Sequence, residues 1–172
     1  MSTEADAEFS ALVRRQSRFV FKVAYAVLLN SHDAEDAVQE TFLKLFRNSG
    51  WKQAENERAY LARVAWRIAL DHALRPVSAG SADPLSLDTI ASSHPRPDES
   101  LSEANQQAIV HLAIDSLPED LRVPLVLSAF EELNSREIGK ILGIPEGTVR
   151  TRLQRARQIL RKKLAARETH YA

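Results

Sequence analysis

Between Gly147 and Lys163 the chain carries seven basic residues (Arg150, Arg152, Arg155, Arg157, Arg161, Lys162 and Lys163) and not one acid. Arginine offers paired donors to guanine, glutamine pairs with adenine, and a threonine hydroxyl serves either, so Arg155, Gln154, Gln158 and Thr151 supply the vocabulary for reading base edges in a major groove. Their spacing gathers them. Val149, Leu153, Ala156, Leu160 and Leu164 recur on one side of a helix, and a turn of about 100° per residue sends Thr151, Gln154, Arg155, Gln158 and Lys162 to the other side. Arg150, Arg152, Arg157 and Arg161 flank them. The same row also suits a solvated helix face, although such faces usually mix both charge signs.

Two further groups invite chemistry. Asp33-Ala34-Glu35-Asp36-Ala37-Val38-Gln39-Glu40 precedes an apolar stripe. Acids in a first helical turn complement the helix dipole, which accounts for Asp33, Glu35 and Asp36. It does not require Gln39 or Glu40, which suit a protein partner with a basic helical surface. Farther on, burial of Leu61, Val64, Ala65, Ile68 and His72 turns Arg63, Trp66, Arg67, Leu70 and Leu74 outward. A tryptophan between arginines is a platform for unstacked bases, or else it fills a second packing face. His72, on the apolar side, reads as a packed histidine rather than a ligand. There is no glycine-rich phosphate loop, no His-x-x-x-His pair and no cysteine, so no thiolate metal site or disulfide. Neither an enzyme nor a cofactor is expected.

The elements that must position these groups are helices. Phe9, Leu12, Val13, Val20, Val23, Ala24 and Val27 form one stripe, ended by Asn30-Ser31-His32-Asp33, a turn with several possible caps. Ala34, Ala37, Val38, Phe42 and Leu45 form a second, stopped at Asn48-Ser49-Gly50. A polar loop through Trp51 to Glu57 leads to the third. After residue 76, Pro76, Gly80, Pro84, Pro95 and Pro97 among serines and aspartates mark a linker. Helical spacing resumes at Ala104, Ala108, Ile109 and Leu112. Ser116-Leu117-Pro118-Glu119 is a helix start. Pro124 then requires a helix beginning near Val123 or a kink, because proline is cheap only in a first turn. Asn134 and Glu137 are spaced as a capping box, placing a helix start near Ser135. Gly143-Ile144-Pro145 closes that helix and opens the next, over about 145–164, as in a helix-turn-helix. Gly147 and the free N–H groups of that first turn suit close approach to a phosphate.

Composition agrees with an all-α protein of two small helical domains. The 172 residues are 44% hydrophobic and 27% charged, and contain five glycines. Net charge is zero but unevenly spread: Asp83 to Asp120 holds eight acids against Arg96, while Asn134 onward holds ten bases against three acids. A basic end in a neutral chain suggests a polyanion partner. The acidic start, Met1 to Asp6, lacks the pattern of a signal peptide, and no apolar run approaches the ~20 residues that cross a bilayer. A cytoplasmic protein without membrane insertion is expected.

Together these motifs resemble the extracytoplasmic-function sigma factors, a group of the sigma-70 family. Asp33 through Lys44 is similar to the family's polymerase-binding segment, and Ser135 through Arg157, above all Gly147-Thr148-Val149 followed by Arg-x-Arg-Leu-x-Arg-Ala-Arg, to its promoter-reading helix-turn-helix. The resemblance implies a region 2 domain over 8–76, a flexible linker over 77–101 and a region 4 domain over 102–166. It implies docking on the β′ clamp helices of core RNA polymerase through Asp36, Gln39 and Glu40, and a second contact with the β flap. It implies that the first domain binds the minus-ten element and captures an unstacked base in the loop 47–57. Arg63, Trp66 and Arg67 are the expected DNA-binding residues there. The helix-turn-helix would read the minus-thirty-five element, with Arg150, Thr151, Gln154 and Arg155 at the family's contact positions and Arg152 and Gln158 beside them. An anti-sigma factor is the implied inhibitor. Arg67 stands where the family commonly has asparagine, Ala73 and Leu74 where it has basic residues, and Tyr60 where tryptophan is frequent. The main alternative is a helix-turn-helix regulator that binds DNA without replacing a sigma subunit.

Overall fold

The computed structural model describes residues 2–75, 100–130 and 132–170. These contain seven α-helices and one 3-10 helix, and no strand: α1 (Ser2–Leu28), α2 (Ser31–Arg47), the 3-10 turn (Ser49–Gln53), α3 (Glu57–Leu74), α4 (Ser100–Asp115), α5 (Glu119–Ser128), α6 (Ser135–Leu142) and α7 (Glu146–His170). The expected linker 77–101 lies outside the described residues except at its end, where α4 has begun.

Three asparagines start three of the helices in the same way. Asn30 Oδ1 accepts from the Asp33 N–H at 3.0 Å, Asn56 Oδ1 from Ala59 at 3.0 Å, and Asn134 Oδ1 from Glu137 at 2.9 Å. Each satisfies an N–H that has no carbonyl within the helix, worth about 1 kcal/mol. Leu29, at φ 52°, ends α1 in the left-handed region and makes a two-residue link to α2 possible.

The N-terminal bundle packs α1, α2 and α3 on Leu12, Val20, Val23, Ala34, Leu45, Leu61 and Ala65, all essentially inaccessible. Thr41, fully buried, returns its hydroxyl to the Ala37 carbonyl at 2.7 Å. The stretch expected as a polar loop instead holds the 3-10 turn, which tucks Trp51 into the core at 8% exposure. Pro124 sits inside α5, whose first residue is Glu119 rather than one near Val123. The ring is buried, and its contribution to the core outweighs the hydrogen bond it cannot donate to the turn before it. On α4 the expected stripe is displaced: Ala108 is exposed and Leu112 is 54% exposed, while Ala113 is buried, with α7 the main helix packed on α4 among the described residues.

The C-terminal helices keep only a small cluster of their own, Leu117, Leu121 and Ala156, and most of their buried residues join the N-terminal core. Val123, Leu127, Leu133, Ile138, Ile141, Val149 and Leu153 belong to one apolar cluster with the buried residues of α1–α3. α5 lies on α1, and α6 on α3. Arg122, 5% exposed, is the polar pin of this seam: its Nε donates to the Ala26 carbonyl and its Nη1 to the Leu117 carbonyl, both at 2.6 Å. Tyr25 Oη donates to Asp115 Oδ2 at 3.2 Å across the same seam. Burial first, and the neighbouring Asp115 carboxylate second, hold that phenol above its ordinary pKa of 10.

Candidate nucleic-acid interface

The helix-turn-helix is set by two glycines with different jobs. Gly143 occupies the left-handed C-cap of α6 at φ 68°, a conformation that costs other residues. Gly139 is buried inside α6 for another reason. A Cβ there would lie 2.7 Å from the Ile144 carbonyl oxygen, and the Ile144 N–H donates to the Gly139 carbonyl at 3.0 Å. The turn therefore folds directly onto Gly139, and this close approach fixes the angle at which α7 leaves α6. A lone glycine in an otherwise amphipathic run was the available sequence signal.

α7 then presents its polar side. Arg150, Thr151, Gln154, Arg155 and Gln158 are exposed along one face, while Val149, Leu153 and Ala156 are buried on the other. Arg150 pairs with Glu146 one turn earlier at 2.9 Å, and Thr151 Oγ1 donates to the Gly147 carbonyl at 3.0 Å. Arg155 is free to reach outward beside an open concavity of about 510 Å³ that Asp120, Gly147, Thr148, Thr151 and Arg152 also line. Arg152 is half-buried and turns toward α5.

The N-terminal candidates fall into two groups. Asp36 and Gln39 are exposed on α2 and Glu40 is half-exposed beside them, a helical turn apart. Glu40 is engaged from α3: its Oε2 lies 2.5 Å from His72 Nε2 and its Oε1 3.7 Å from Arg75. His72 is thus a partner of this α2 row as well as a packed residue. The row continues into Leu43 (51% exposed) and Phe46 (59% exposed), which the sequence reading missed. Phe46 leans edge-on against Phe9 at 5.1 Å and leaves its other side open. Large apolar side chains in line with acids suit a protein contact better than a solvated face.

On α3, Arg63 and Arg67 are exposed, but Trp66 is not an open platform. It is half-buried against the core and lines a cleft of about 290 Å³ with Val123, Pro124, Leu142, Ile144 and Arg152. The two candidate DNA-reading groups of Trp66 and Arg152 thus face one cleft. The start of α3 is braced by Glu57, whose carboxylate accepts Arg15 Nη2 at 2.7 Å and Gln16 Nε2 at 2.8 Å. The Arg15 hydrogen bond holds Glu57 below its ordinary value of 4.5 against the opposing effect of burial. Among the described residues, no group of His, Asp and Glu is arranged to hold a metal ion, and no helix is long and apolar enough to cross a membrane.

Comparison with known proteins follows the same two segments. Residues 12–75 match the Sigma-70 region 2 family and residues 107–160 the Sigma-70 region 4 family. The chain is 36% identical over 162 residues to the ECF RNA polymerase sigma factor SigE of Mycolicibacterium smegmatis, covering 94% of this chain and 63% of that protein. It is 30% identical over 154 residues to the ECF RNA polymerase sigma factor SigW of Bacillus subtilis, covering 84% and 82%. The chain therefore spans somewhat less than two thirds of the first relative and most of the second. Its fold is similar to that of the sigma factor RpoE of Bartonella quintana, solved with the anti-sigma factor NepR, at TM-score 0.69 and 21% identity over 92% of this chain and 97% of that one. It is also similar to CnrH, solved with the cytosolic domain of CnrY, at TM-score 0.64 and 21% identity over 94% and 90%. At such identity the two structures speak for the fold alone.

Proposed function

This chain belongs to the extracytoplasmic-function group of the sigma-70 family, and on that premise we propose that it binds core RNA polymerase and directs initiation at a particular set of promoters. The observation that carries the reading is the exposed row Arg150, Thr151, Gln154, Arg155 and Gln158 on the second helix of a helix-turn-helix. That row reads the minus-thirty-five element in the major groove, with Arg152 and the N–H groups at the start of α7 contacting phosphate. Residues 8–76 form the domain that meets polymerase and the minus-ten element, residues 102–166 the second DNA-binding domain, and 77–101 the connection. Asp36, Gln39 and Glu40, extended by Leu43 and Phe46, dock on the β′ clamp helices. The second domain rests near the β flap. Arg63, Arg67 and Trp66 serve the minus-ten DNA once Trp66 is released from its cleft. The chain catalyses nothing itself: polymerase makes RNA and this subunit selects where. Its working place is the cytoplasm, with polymerase. An anti-sigma factor is the proposed inhibitor, by analogy with the partners named for the two structural neighbours.

Two variants separate the proposed surfaces. Asp36→Ala combined with Gln39→Ala is expected to abolish pull-down of core polymerase while leaving duplex promoter binding intact. Arg155→Ala is expected to do the reverse. A chain that binds promoter duplex but never core polymerase would instead be the free-standing regulator.

A further inference from the structure

The seam between the two halves contains an arrangement that the sigma reading does not explain. The segment entering the helix-turn-helix, around Phe130 and Glu132, is laid on the start of α3. Phe130 packs edge-on against Phe19 at 4.6 Å. The Arg58 guanidinium lies over both rings, 5.3 Å from the Phe19 centroid and 5.4 Å from that of Phe130. Its Nη1 meets Glu132 Oε2 at 2.9 Å. The Asn56 side-chain amide donates to the Glu132 main-chain carbonyl at 2.8 Å, while its oxygen caps α3.

The three groups brought by this segment are an aromatic ring on a guanidinium, an anion on the same guanidinium and an acceptor for an amide. An unpaired nucleotide brings the same three: a base, a phosphate and base-edge or sugar oxygens. Of the receiving residues, Asn56 lies three residues beyond the 3-10 turn, near the end of the loop that would take an unstacked base, and Arg58 stands two residues on, in the first turn of α3. We propose that Asn56 and Arg58 form a single-stranded DNA contact of the N-terminal bundle, and that Phe130 and Glu132 occupy it as a nucleotide mimic when the two halves are closed. This rests on the promoter-binding reading above.

Geometry requires such a closed form to open. Trp66 and Arg152 line one cleft of about 290 Å³. Minus-ten and minus-thirty-five DNA lie on the order of 80 Å apart along a duplex rising 3.4 Å per base pair. The closed chain cannot present both faces to one promoter. Opening frees Trp66 and uncovers Arg58 together, so a single movement unmasks the single-strand contact.

The test uses the full chain and a short fluorescein-labelled thymidine single strand, followed by anisotropy. The chain lacks cysteine, so a dye pair at Lys44→Cys and Arg161→Cys reports separation of the halves by energy transfer. Phe130→Ala, which changes no charge, and Glu132→Gln are each expected to lower transfer. Each is also expected to bind the strand about tenfold more tightly, the factor set by a closed form favoured about ten to one. Arg58→Gln is expected to lower transfer as well but to bind more weakly than the parent chain. Glu4→Gln, an exposed acid at the start of α1 and outside both the seam and the DNA-binding loop, controls for charge and is expected to change neither. If Phe130→Ala does not fold, Glu132→Gln against Glu4→Gln decides. Opening without tighter binding, unchanged transfer in Glu132→Gln, or Arg58→Gln binding as tightly as Glu132→Gln would each overturn the proposal. None of these readouts needs initiation, so failure of the sigma reading shows separately, as absent transcription.

Discussion

Gly139→Ala is a small change with a computable consequence. The added methyl group would stand 2.7 Å from the Ile144 carbonyl oxygen, with the Glu146 backbone nitrogen and Cα at 3.6 and 3.7 Å. The near atom is backbone, so no side chain can swing aside, and the turn itself must move by several tenths of an ångström. Overfilling a packed site costs about 1–3 kcal/mol, and alanine recovers about 0.5–1 kcal/mol over glycine inside a helix. The expected net loss is about 1–2 kcal/mol. Gly147→Ala is the internal control, because nothing beyond its own stretch of helix lies within 4 Å of its Cβ position and it sits in the first turn of α7. It is expected to be neutral or to stabilise by up to about 1 kcal/mol. Urea unfolding monitored by circular dichroism compares the two midpoints at constant m-value. Duplex binding adds a second axis: Gly139→Ala tilts α7 and weakens binding through the turn, whereas Gly147→Ala weakens it only if a phosphate approaches that backbone. A Gly139→Ala chain as stable as the parent, or a Gly147→Ala chain equally destabilised, would refute the claim that close packing at Gly139 sets the turn.

Other outcomes follow from the same contacts. Arg155→Ala should weaken binding to the preferred promoter duplex by about 1–3 kcal/mol if it meets a base, whereas equal loss on all sequences in a binding titration would assign it to phosphate. Duplex affinity should fall about 10³-fold or more between low and moderate salt if α7 neutralises several phosphates; a flat salt titration would contradict that. Arg122→Ala leaves the Ala26 and Leu117 carbonyls without their donor and opens a gap in the seam, so a loss of about 3 kcal/mol or more in urea unfolding is expected. Because Glu57 is held below 4.5 when folded, its pairing with Arg15 and Gln16 is fully present above that value and is lost as pH falls through the lower folded value. Glu57→Gln should therefore flatten the acid limb of a stability profile below about pH 4.5 and leave its shape near neutrality unchanged.

What could be seen in the sequence was what local physics decides. The turn at 30–33, the cap at Asn134, the left-handed Gly143 and the opposed faces of α7 each depend on residues within a turn or two of one another. Propensity and periodicity were therefore enough to expect them. Pro124 shows where that reasoning stops: local cost left a helix beginning beside it or a kink, and the buried proline lies inside a helix that begins at Glu119. Leu112 fails in the opposite direction, since periodicity cannot say which side of α4 the fold will cover. The seam was the least visible feature. Arg122 is one arginine in an apolar run, and nothing nearby marks Ala26, ninety-six residues earlier, as the carbonyl it will meet. Arg58 and Glu132 have the same difficulty, being ordinary surface charges until the halves close. Trp66 was balanced between platform and packing residue, and the structure explains the balance: it is half-buried in a cleft that exists only while α5 and α6 are against α3.

The central claim is most directly tested by run-off transcription with sigma-free core polymerase and a library of promoter fragments. The account predicts specific initiation from a subset of fragments, lost in the Asp36→Ala, Gln39→Ala chain and redirected or lost in Arg155→Ala. Duplex binding by the chain with no initiation from any fragment would contradict it.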